Sequence, residues 1–178
     1  MTHNNTHNGR RYTRAEQITA YHEAGHAVMA RYFGMPVYGA SVVGTEDSAG
    51  RVMHGIGRAK EIEVDESDGK VEAVVCVAAA GYLASSRAVP RSQRDDRGTP
   101  DRAAAIDWLD RIAPDDEVLL FYRLLRMRTD RYLAMKWHQV EAVAQALLEH
   151  KTLNKRELLQ VIKDANRVQL EQHGAGEF

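Results

Sequence analysis

The sequence is poor in cysteine, proline and phenylalanine, with one, four and three of each. It has almost no net charge: 24 Lys and Arg against 25 Asp and Glu give a formal −1. A lone thiol excludes a disulfide within the chain, and Cys76, set in the apolar stretch VVCVAAA, reads as a small core hydrophobe rather than a nucleophile. Balanced charge removes any large field that would draw the protein to nucleic acid or acidic lipid. The longest apolar run, residues 74–84, is too short to span a bilayer, and the polar start MTHNNTHNGRR lacks the apolar segment of a signal peptide. A cytoplasmic protein without a membrane span is the expectation. No repeat of solenoid period is present, nor a glycine loop ending in Lys-Ser or Lys-Thr to cradle phosphate, so nucleotide hydrolysis has no seat in these residues.

What is present suffices for one domain of 178 residues with its own apolar core. Residues 1–12, rich in Asn, His, Thr and Arg, have little to bury and read as a disordered tail, with His3 and His7 solvated. Residues 13–172 form the expected domain, and 173–178 a flexible end. Thr13 with Glu16 makes a capping box for a helix that stops at Gly34-Met35-Pro36. Segments 37–43 and 51–56 flank the turn-rich GTEDSAG as a hairpin or small sheet, with His54 a structural histidine beside Gly55. A polar loop over 59–68 precedes an apolar, central helix over 69–88. A second loop over 90–100 leads to Thr99-Pro100-Asp101, which supplies a cap, a proline at the first helical position and an acid in the first turn of a helix to residue 112. Helix is expected on to His150 with a break near Thr129, and again from Asn154 to Gln172. The fold class is α+β, predominantly helical. The arginines 123, 126, 128 and 131 with Lys136, interleaved with aromatics, read as a solvated face or subunit contact around Leu124, Leu125, Tyr132, Leu133 and Trp137, which need burial.

Within the first helix lies YHEAGHAVMA. His22 and His26 are one turn apart on one face, so their imidazoles can converge on a single cation, while Glu23 is displaced round the helix toward that cation's water. Zinc lowers the pKa of bound water to about 7, and a carboxylate in reach takes its proton as the water attacks a polarised carbonyl. The plainer reading is a helix using two histidines for packing and a glutamate for solubility. Gly25 argues for the site, because a glycine in mid-helix costs about 1 kcal/mol against alanine and calls for a close contact or a function. A third protein ligand must come from elsewhere, and the absence of Glu or His soon after His26 excludes the metzincin arrangement.

From about Tyr12 to Ala165 the chain resembles the peptidase domain of the FtsH-type ATP-dependent zinc metalloproteases. The resemblance rests on HEAGHA, the apolar VVCVAAAGYLASSRA, the GTPDRAAAI segment and VEAVAQALLEHKTLNKREL, in that order. It implies a zinc-dependent endopeptidase that hydrolyses peptides or unfolded proteins by a Glu-activated, zinc-bound water. By the same resemblance Asp101 is the third Zn2+ ligand beside His22 and His26, with Asp95, Asp96 and Asp107 as rivals and Asp107 the best of them. It also implies that an extended substrate lies along a strand edge within 37–56 and that a homo-oligomer forms, and, as the ATPase is missing, that a separate unfoldase takes part. The chain departs from the family at Ser85, Ser86 and Arg87, where acids are usual, which alters support of the ligands. The alternative is a zinc-binding interaction or adaptor module derived from such a peptidase, without proteolysis.

Overall fold

The computed structural model describes residues 6–7, 10–44, 51–54, 68–90 and 95–174. A two-residue antiparallel ladder, β1 (Thr6–His7) with β2 (Arg10–Arg11), lies in the segment read as a tail. The first helix, α1 (Arg14–Tyr32), opens on the expected capping box. The Glu16 amide donates to Thr13 Oγ1 at 3.2 Å and the Thr13 amide to Glu16 Oε2 at 2.9 Å. It closes on Gly34, whose φ of 72° is cheap only for glycine. The Met35 amide reaches back to Ala30 O and the Gly34 amide to Arg31 O, so the last carbonyls are satisfied.

Strands β3 (Val37–Ser41) and β4 (Arg51–His54) pair antiparallel, as the hairpin reading required, with a register irregularity between Val37 and Gly39. A third strand, β5 (Thr152–Asn154), pairs antiparallel with the other edge of β3, giving the order β4-β3-β5. Sequence reasoning passed over β5, since three residues with one buried side chain, Leu153, make no alternating pattern.

The remaining elements are helical: α2 (Asp68–Ala88), α3 (Pro100–Leu109), α4 (Val118–Met135), α5 (Trp137–His150) and α6 (Lys155–Gly174). Predominantly helical α+β is the observed class. Over Gly69–Ala88, α2 is long and apolar enough to cross a bilayer by length and composition, yet 67% of its most apolar stretch is buried inside the fold. It is the central helix, packed against α1, α3 and α4, and two core clusters meet along it. One joins α1, α5, the sheet and α6 through Met29, Leu147, Leu153 and Leu158; the other joins α3 and α4 through Val71, Val75, Leu109 and Tyr122.

Three expectations need correction. Helix α4 runs through Thr129 unbroken, because the Thr129 hydroxyl donates to Leu125 O at 2.8 Å and so is satisfied inside the helix. The break falls at Lys136, where the turn lets Trp137 stack on Tyr21 with ring centroids 5.9 Å apart. Helix α3 stops at Leu109 rather than residue 112, the chain tightening through Arg111 and Ile112 amides that reach Trp108 O and Leu109 O. Leu124 is exposed with Leu119, Leu120 and Met127, whereas Leu125 and Leu133 are buried, so α4 turns an apolar stripe outward among its arginines. The readings for the hairpin tip, for the loop over 59–67, for residues 91–94, for His3 and for the last four residues lie outside the described residues, as does the His54 side chain.

Candidate metal centre

Helices α1 and α2 approach closely because both offer small residues at the crossing. A Cβ on Gly25 would stand 2.6 Å from Ala80 O and 2.7 Å from Ala84 Cβ, so the glycine flagged in the sequence is there for contact. The reciprocal glycine is Gly81 on α2. A Cβ there would strike His26 Nε2 and lie 2.7 and 2.8 Å from His22 Cε1 and Nε2. The two imidazoles occupy the volume that any other residue at 81 would fill.

His26 is held by more than packing. Its Nδ1–H donates to Val77 O at 2.7 Å, which directs the lone pair of Nε2 into the centre. His22 Nε2 lies 3.0 Å from His26 Nε2, the rings meeting edge to face. Asp101 arrives from the first turn of α3, where Thr99 caps the helix by accepting from the Arg102 amide at 3.3 Å and Pro100 opens it. Its Oδ2 stands 3.1 Å from His22 Nε2 and 3.4 Å from His26 Nε2. Among the described residues, His22, His26 and Asp101 form a group that could hold a metal ion. Exposure is graded across it: the side chain of His26 is 9% exposed, that of His22 25% and that of Asp101 33%, so the centre opens to solvent on the Asp101 side.

Electrostatics say the centre calls for positive charge. Burial works against ionisation of Asp101, but hydrogen bonds from His22 and His26 hold its carboxyl far below the usual range. Burial likewise opposes charge on His26, yet the hydrogen bond and charge of Asp101, with Glu23 nearby, raise its pKa. Burial dominates at His22 and lowers its pKa, against the hydrogen bond and charge of Asp101, which raise it. Two ring nitrogens and a carboxylate oxygen thus converge, and the proton that Asp101 draws onto His26 is the one a bound cation would displace. A cation bound tetrahedrally at about 2.0 Å from each would set them about 3.3 Å apart. The observed 3.0, 3.1 and 3.4 Å fit that figure.

Glu23 is buried on the same helix, and its surroundings push its pKa up to about 7: burial first, the Asp101 charge with it, the His26 charge against. A carboxyl poised there can both take and return a proton near neutrality. The rival acids are occupied elsewhere. Asp95 pairs with Arg97 and Asp107 with Arg111, both at the surface, and Asp96 is buried against Tyr122 and Arg102. At the departures from the family pattern, the Ser85 hydroxyl donates to Tyr82 O within its own helix, and the Ser86 hydroxyl is buried without a partner. Support of His26 comes instead from a backbone carbonyl, which no substitution at 85 or 86 removes.

Sequence reasoning named the three converging residues and Glu23 but missed Gly81 and Val77. The argument applied to Gly25 would have found Gly81, an unexplained glycine inside an apolar helix; nothing in the sequence marks a carbonyl.

No family model matches the chain. A curated relative is the mitochondrial inner membrane i-AAA protease supercomplex subunit YME1 of Saccharomyces cerevisiae, 24% identical over 177 residues that take in 84% of this chain. The relationship is distant. The chain spans about a quarter of that protein's length, 24%.

Proposed function

We propose that the chain is a zinc-dependent endopeptidase in which His22, His26 and Asp101 hold the metal and Glu23 is the general base. The observation that carries this reading is the convergence of two imidazoles and a carboxylate from separate helices beside a buried glutamate, at spacings suited to tetrahedral zinc. A bound zinc supplies a Lewis acid for the scissile carbonyl and lowers the pKa of water to about 7. Glu23 takes one proton from the attacking water and, once the C–N bond opens, gives it to the departing amine. Burial, which raises the pKa of Glu23 in the metal-free centre, favours a carboxylate that accepts a proton and holds it until the amine departs. His26, fixed through Val77 O, and His22, seated on Gly81, keep their nitrogens in place without rearrangement.

The substrate in this reading is a peptide or an already unfolded chain. Among the described residues strand β4 ends the three-stranded sheet and touches α1, the helix of the two histidines, so it is the edge to which an extended substrate would add by strand pairing. Unfolding falls to a separate unfoldase or to a unit outside these residues, and the work is cytoplasmic. The exposed apolar stripe of α4 is where a homo-oligomer would make contact.

A zinc-binding adaptor without proteolysis is the second reading, favoured by one observation: Ser85 and Ser86 turn to their own helix or to nothing where the family carries acids. Incubation of the purified protein with casein, with and without a chelator, separates the two. Chelator-sensitive fragments support the peptidase; stoichiometric zinc with intact casein supports the adaptor.

A further inference from the structure

Asp101 occupies the least secure kind of position for a ligand, the first turn of a ten-residue helix, where amides have no partners within the helix and fraying begins. What holds that turn is a second acid five residues earlier. Asp96 is buried, its side chain 4% exposed, and a carboxylate so far from water is tolerated only when it is paired. Its carbonyl and both carboxylate oxygens are engaged. Its backbone carbonyl accepts from the Thr99 amide at 3.2 Å and from the Thr99 hydroxyl at 2.8 Å, and Thr99 in turn caps α3. Its Oδ1 accepts from Arg102 Nη1 at 3.2 Å. Asp96 therefore grips the chain two residues before Asp101 and one residue after it.

The other carboxylate oxygen ties this grip to the body of the fold. Oδ2 accepts from the Tyr122 hydroxyl of α4 at 2.5 Å and lies 3.6 Å from Arg126 Nε. Arg126 lies over the Tyr82 ring at 5.1 Å, next to the Gly81 on which both imidazoles rest, and Arg102 lies over the Tyr122 ring at 5.3 Å. A continuous set of contacts thus runs from α2 and α4 through Asp96 to the two residues that bracket Asp101.

We propose that Asp96 is a positioning residue: with Tyr122, Arg102 and Arg126 it fixes the start of α3 so that the Asp101 carboxylate meets His22 and His26. This rests on the reading of those three residues as metal ligands. Replacing a group that orients a ligand costs about 10–100-fold in metal affinity.

The test is zinc affinity, by competition with a chromophoric chelator, together with the visible spectrum of the cobalt(II)-loaded protein. It is run on the wild type, Asp96→Asn, Tyr122→Phe and, as a control on the same helix, Asp107→Asn. The expected result is zinc binding about 10–100-fold weaker in Asp96→Asn, a smaller loss in Tyr122→Phe, no change in Asp107→Asn, and an altered cobalt spectrum in Asp96→Asn, which lost stability alone would not produce. A folded Asp96→Asn variant with wild-type affinity and spectrum overturns the proposal. Should Asp96→Asn fail to fold, Tyr122→Phe decides by the same two readings. If the wild type takes up no zinc, the metal reading is what fails. Amide exchange at Arg102 and Ala103 then judges the clamp: faster exchange in Asp96→Asn upholds it, and unchanged exchange overturns it.

Discussion

The two halves of the centre are built by different physics. His22, Glu23 and His26 share one helix, their spacing set by the helical repeat and their depth by glycine and alanine at the α1–α2 crossing. Asp101 comes from 75 residues further on and is held by a cap, a proline and a knot of charged side chains. The first half is a packing device that fails when volume is added, and the second is a polar device that fails when a hydrogen bond is removed. One site therefore has two kinds of weakness, and each can be probed without touching the other.

The largest effect is expected from adding a methyl group. Gly81→Ala places a carbon where the imidazoles lie, and overpacking of this kind costs about 1–3 kcal/mol. Urea denaturation should show that loss, and metal analysis should find stoichiometric zinc binding gone. Asp101→Ala on the polar side adds no volume: zinc uptake should be severely weakened, with a smaller loss of stability in the metal-free protein than Gly81→Ala shows, since the side chain is one-third exposed. If the two variants lose stability and metal in the same proportion, the division into packing and polar halves is wrong.

Smaller effects sharpen the contrast. Thr99→Ala removes the cap of α3 and should cost about 1 kcal/mol in denaturation while weakening zinc binding less than Asp101→Ala does. At the start of α1, Glu16 is held at a pKa of about 2 by the Thr13 amide, then by Lys151 and the Thr13 hydroxyl. A carboxyl whose pKa is lowered by folding adds stability above the ordinary carboxylate range, and that stability is lost as pH falls from about 4.5 through about 2. Melting temperature measured across that window should fall less steeply in Glu16→Gln than in the wild type. The effect should be the smallest of the set, since the pair is exposed and screened.

How much could be read from the sequence follows the same line. Local chemistry was legible: the Thr13–Glu16 box, the stop at Gly34, the one-turn spacing of His22 and His26, and the Thr99-Pro100-Asp101 start each depend on residues within a turn of one another. Asp101 as partner of the histidines came from resemblance to a family, because no local pattern brings α3 to α1. Strand β5 and the break at Lys136 were missed for a related reason. Each is decided by what lies across the fold, β3 in one case and Tyr21 in the other. Asp96 was weighed as a ligand because an acid near a metal motif looks like one; only its burial against Tyr122 and Arg102 reveals a different task.

The central claim is that Glu23 moves the proton in peptide hydrolysis at a metal held by its neighbours. Casein hydrolysis by the wild type and by Glu23→Gln, each brought to the same measured zinc content, tests it most directly. The account predicts fragments from the wild type that a chelator abolishes, and none from Glu23→Gln although its zinc is retained. Equal cleavage by both proteins, or none by the zinc-loaded wild type, would contradict it.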